Sequence, residues 1–116
     1  MRDRVVGILG SVCTLTACAA SAPPGPPAPV AGQTVQTWIR SLPEDTGKVV
    51  FMRNDGTRPI VIATLTLTNC VNTLQVCDVY HPNVAIAPGE TVIVLRIQPL
   101  HPGRVYKFEF EYQWHT

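Results

Sequence analysis

The sequence predicts an all-β domain, and three observations carry that prediction. Residues 104–114 (RVYKFEFEYQW) place Tyr106, Phe108, Phe110, Tyr112 and Trp114 at every second position, with Lys107, Glu109, Glu111 and Gln113 between them. A period of two over this length describes a strand with one aromatic and one charged face, whereas a helix would scatter the rings around its circumference. Several other short segments are rich in Val, Ile and Thr, and turn-forming residues separate them: Asn54-Asp55-Gly56, Pro88-Gly89 and Pro102-Gly103. No segment shows a convincing 3.6-residue period. Six or seven short strands within residues 33–116 therefore predict a small immunoglobulin-like β-sandwich.

The first twenty residues read as an address. Met1 to Arg4 is a short charged start, and residues 5–15 (VVGILGSVCTL) carry no charge. That run is too short for a permanent membrane helix, which needs about 20 apolar residues, and it fits the apolar region of a secretory signal. It ends Leu15-Thr16-Ala17-Cys18, which resembles the lipobox of bacterial lipoproteins: an aliphatic residue, two small residues, then Cys. The resemblance implies a signal peptide at 1–17, cleavage between Ala17 and Cys18, and a diacylglycerol thioether on Cys18 with acyl chains such as palmitate. Each buried CH₂ of an acyl chain contributes about 0.8 kcal/mol, so several chains hold a protein stably on a membrane. Residue 19 is Ala and not Asp, which in a diderm bacterium implies an outer-membrane anchor facing the periplasm.

Residues 18–32, the lipidated Cys and a Pro/Ala-rich linker, cannot build a core. The run AASAPPGPPAPVAG favours a solvated, extended chain. At ~3.1 Å per residue it reaches at most about 43 Å, enough to hold a domain off a lipid surface.

The domain at 33–116 is then read strand by strand. Residues 34–39, with Trp38, form a first strand and 48–54 (KVVFMRN) a second. Residues 58–68 (RPIVIATLTLT) form a third, with Val61, Ala63, Leu65 and Leu67 expected on one face and Ile60, Ile62 and the threonines on the other. Residues 74–80 are expected to supply another. In 91–97 (TVIVLRI), Ile93, Leu95 and Ile97 are expected to share a face, and 104–114 closes the sheet. The pattern Asn54-x-Gly56-x-x-Pro59-Ile60-x-Ile62, then Ile86-Ala87-Pro88-Gly89-Glu90 leading into Val92-x-Val94, then Gly103-x-Val105-Tyr106, resembles the Hydin/ASH-type and PapD-like group of bacterial Ig-like domains. That resemblance covers roughly residues 48–112 and implies adhesion, assembly or scaffolding roles.

Composition excludes some functions. The net charge is +1 over 116 residues, and without Arg2, Asp3 and Arg4 seven charges of each sign remain. This is not the balance of a nucleic-acid binder or of a polybasic membrane-surface protein. Of four cysteines, Cys13 lies in the leader and Cys18 at the lipidation position, leaving Cys70 and Cys77 as an even pair in an exported domain, where a disulfide is expected. The competing reading is a small metal-binding module using Cys70, Cys77 and His81. Cys77-x₃-His81 resembles blue-copper spacing, but no His precedes His81.

No catalytic constellation emerges. His81 and His101 stand beside Pro, Glu109 and Glu111 continue a charged row, and Thr46-Gly47-Lys48 lacks the earlier Gly of a phosphate-binding loop. The expectation is a non-catalytic, cofactor-free, lipid-anchored cell-envelope protein with a protein partner. The alternative is a glycan- or peptidoglycan-binding domain using Trp38, Tyr112 and Trp114 as a stacking surface.

Overall fold

The structure, a computed structural model, describes residues 26–116 and the backbone of residues 3–10. The expected lipidation position Cys18 and most of the linker lie outside the described residues. The described strands are β1 (Asp3–Gly10), β2 (Val35–Ser41), β3 (Lys48–Asn54), β4 (Ile60–Val71), β5 (Val79–Tyr80), β6 (Val84–Ile86), β7 (Thr91–Ile97) and β8 (Lys107–His115). They form two antiparallel sheets, one ordered β1-β8-β4-β5 with β6 also on β4, the other β2-β3-β7. The domain is the all-β sandwich expected, with seven strands in residues 33–116.

The core lies between the sheets. Tyr106, Phe108, Phe110, Tyr112 and Trp114 are all buried, against Val50, Met52, Ile60, Ile62, Leu65, Leu67, Ile86 and Ile97. Burying one large ring removes roughly 150–250 Å² from water, so this single strand dominates the hydrophobic contribution.

Two β-bulges correct the expected faces. In β4, Ile62 pairs with Trp114 and Thr64 with Gln113, so Ala63 is an extra residue. The inward face therefore carries Ile60 and Ile62 before the bulge and Leu65 and Leu67 after it. In β7, Val50 pairs with Leu95 but Phe51 with Ile93, leaving Val94 extra. Ile97 is buried while Ile93 is 44% exposed, so the two do not share a face as expected. One inserted residue reverses the alternation beyond it. Further differences lie at the ends: residues 74–78 form a loop and only Val79–Tyr80 is strand, β6 was not anticipated, and the last strand starts at Lys107.

Asn54 joins the turns at one pole. It is fully buried. Its Nδ2 donates to the carbonyls of Arg58 (2.7 Å) and Ile86 (2.9 Å), and its Oδ1 accepts from Gly56 N. Its backbone carbonyl accepts from Gly89 N at 2.7 Å, and Gly89 has φ of 78°, a conformation costly for any residue with a Cβ. An apolar replacement leaves these buried groups unpaired, at about 1–3 kcal/mol for each orphaned group. Asn54→Ala is expected to lower unfolding free energy by about 3 kcal/mol, measured by chemical denaturation; a loss below about 1 kcal/mol contradicts this role.

Candidate functional site

The strands define two poles. β4 runs from Ile60 to Val71, and β8 runs back, pairing Val71 with Lys107 and Val61 with His115. The linker joins at the pole of Asn54. There Arg53 pairs with Asp55, its Nη2 donates to the carbonyl of Pro27 at 2.6 Å, and Asp55 N bonds the carbonyl of Thr34. Arg53 also sits 5.5 Å over the ring of Trp38, which stacks on Phe51 at 5.4 Å.

The opposite pole is built from loops 72–78 and 98–106 and the turn at 42–47. Cys70 and Cys77 are joined by a disulfide, with Cα atoms 5.8 Å apart. Asn72 has φ of 53°, a conformation Asn tolerates better than most residues. Its Nδ2 donates to the carbonyls of His101 and Arg104, and its Oδ1 accepts from His101 N. Leu74 N bonds the carbonyl of Gln98 and Leu100 N that of Asn72. The two loops are therefore one braced unit.

This unit displays apolar side chains to solvent. Val76 is 71% exposed, Leu74 54% and Leu100 51%, with Val71, Val79 and Val105 also exposed. Three of these, Leu74, Val76 and Leu100, stand on the two loops that the Asn72 bonds hold together. Beside it lies a cleft of about 270 Å³ lined by Glu44, Asp45, Leu74, Pro99 and Pro102 among others. Glu44 and Asp45 both have positive φ, 58° and 51°, the kind of local strain concentrated at functional sites. Gly47 lets the turn approach β7: a Cβ there would lie 2.8 Å from the carbonyl oxygen of Ile97.

Asp45 links the cleft to the core. Its Oδ1 accepts from the Tyr106 hydroxyl at 2.8 Å and from Lys48 Nζ at 3.2 Å. Lys48 Nζ also donates to Ser41 Oγ and sits 5.5 Å from the Tyr106 ring centre. Burial first, and then the bond to the Asp45 carboxylate, push the Tyr106 phenol well above its ordinary pKa of 10.0.

The structure separates the three aromatic residues considered as a stacking surface. Tyr112 is 1% and Trp114 4% exposed, inside the sandwich. Trp38 is half-buried on the outer face of β2. Strand alternation and the demand of large rings for burial send the β8 residues inward. The Trp114 indole Nε1 has no hydrogen-bond partner among the described residues. Cys70 and Cys77 are bonded to each other, and no group of three or more His, Cys, Asp or Glu among the described residues is placed to hold a metal ion. The exposed apolar cluster went unnoticed in the sequence. Its trace there is a set of large apolar residues lodged among turn-forming Asn, Thr, Pro and Cys.

No protein-family model, characterised protein or solved structure matches the chain.

Closing this small ring is worth about 2.5 kcal/mol by chain entropy. Cys70→Ser/Cys77→Ser is expected to lose roughly that much in denaturation experiments, with faster amide exchange in residues 70–78; unchanged exchange would contradict the bracing role. Because the folded state favours the neutral Tyr106 phenol, its contribution is complete below the ordinary value of 10.0 and declines as pH rises beyond it. Wild-type stability is expected to fall more steeply above that pH than that of Tyr106→Phe, read by denaturation at a series of alkaline pH values.

Proposed function

We propose that this protein is a non-catalytic, lipid-anchored component of a bacterial cell envelope that acts as a protein-binding or structural module. The anchor reading rests on Leu15-Thr16-Ala17-Cys18 following a charged start and an apolar run. The linker then spaces the domain from the membrane.

One observation carries the binding role: the exposed apolar loops lie at the pole opposite the linker. Arg53 holds Pro27 near the end of β3, whereas Leu74, Val76 and Leu100 lie beyond the other end of β4. The eight steps from Lys107 to His115 along β8, at ~3.3 Å each, separate the two poles by roughly 26 Å. A tethered domain with this polarity turns its braced apolar end away from the lipid, where a partner approaches without competing with the membrane. The disulfide and the Asn72 bonds reduce the ordering entropy lost on binding, which favours affinity.

Cys18→Ser is expected to release the protein from the membrane fraction without altering the fold. Intact mass of the wild-type protein should give a chain beginning at Cys18 with added acyl mass and two hydrogens fewer than the dithiol. Replacing Leu74, Val76 and Leu100 by Ser should abolish in-cell crosslinks from this pole while changing stability by no more than about 0.5 kcal/mol per exposed site. Unchanged crosslinks would reject the loop pole as the contact surface, and a soluble, unacylated wild-type chain would reject the anchor.

A further inference from the structure

β8 is flanked on both sides. One neighbour is β4; the other is β1, whose eight residues pair antiparallel with β8 without a register break, from Asp3 opposite Trp114 to Gly10 opposite Lys107. The segment filling this place is DRVVGILG, within the stretch that the anchor reading removes from the mature protein. On that reading the processed domain keeps β4 beside β8 and loses β1.

We propose that the β8 edge of the processed protein is an acceptor for an extended, aliphatic segment of another polypeptide, which adds as an antiparallel strand. The proposal rests on removal of residues 1–17. An antiparallel strand directs its amides alternately to its two neighbours, so half of the β8 ladder is available to an added strand. Strand addition of this kind takes its affinity from main-chain bonds and its selectivity from alternate side-chain positions.

The sheet's other margins are ill-suited to this. β5 has two residues and β6 three, and very short edge strands resist pairing. In the second sheet, β7 is bulged against β3, and β2 at the other edge has seven residues, fewer than β8. β8, by contrast, offers nine residues (KFEFEYQWH) with no Pro, no Gly and no break along the β1 register. Its inward side chains, such as Phe108 and Phe110, belong to the core cluster shared with β3 and β4. Leu9 and Gly7 are the Cα partners of Phe108 and Phe110.

The test uses protein expressed from the full-length chain and extracted from the envelope in mild detergent. Intact mass is measured first, then amide hydrogen exchange over residues 107–115. Exchange is followed alone, with excess peptide of sequence DRVVGILG bearing a solubilising lysine tail, and with the same peptide carrying Val5→Pro and Ile8→Pro. These two positions have opposite parity, so at least one removes a donor facing β8. The expected result is rapid exchange at alternate β8 amides in the processed protein, slowed at least ten-fold by the first peptide and unaffected by the second. Slow exchange without peptide, including that arising from β8 self-pairing in a dimer, overturns the proposal. So does equal or absent protection by the two peptides. A mass that retains residues 1–17 overturns both the acceptor and the processing on which it rests, whereas a processed mass with failed protection overturns the acceptor alone.

Discussion

Everything in this fold leans on the row of rings from Tyr106 to Trp114. The row runs from one pole to the other, so each remaining element is positioned by what it must cover. β4 brings Leu65 and Leu67 alongside it, and β3 brings Val50 and Met52 from the opposite sheet. At one end Tyr106 meets Asp45 and Lys48, so the strained turn at 43–46 is fastened directly to the core. At the other end Trp114 lies beside Thr34, Gly56 and Ile60, where the linker enters. Burial of aromatic area is the largest favourable contribution available to a domain of this size.

The two poles use different chemistry. At the linker pole, polar groups are buried and paired: Asn54 joins three segments of chain, and Arg53 joins the linker to β3. At the far pole, a covalent bond and the Asn72 bonds hold loops whose apolar side chains stay in water. Leaving apolar side chains exposed forgoes their contribution to stability, and bracing the loops that carry them keeps the backbone ordered despite that.

Strand content was legible because alternation is a local signal. Residues 48–54 and 91–97 form strands with the bounds anticipated, and the five rings of residues 106–114 are all buried. The faces of β4 and β7 were not legible. Ala63 and Val94 look like ordinary strand residues, and only the pairing with β8 and β3 makes them the extra residues of bulges. For the same reason Trp38, Tyr112 and Trp114 could be grouped as one aromatic surface on paper, although they occupy different sheets and different depths. The Cys70–Cys77 pair was readable from count and context, whereas the braced loop it belongs to was not, because Asn72 finds its partners some thirty residues away.

The chain alone determined that residues 33–116 form a β domain, since two-residue periodicity and turn-forming residues are properties of consecutive residues. It also determined that the five rings would share one face, because alternation over residues 106–114 is a local pattern. Only the tertiary structure decided which faces the bulged strands present, which apolar residues remain outside, and that Leu74, Val76 and Leu100 among them lie at the pole away from Asn54. Those features depend on contacts between residues far apart in sequence, and no local pattern encodes which distant groups will meet.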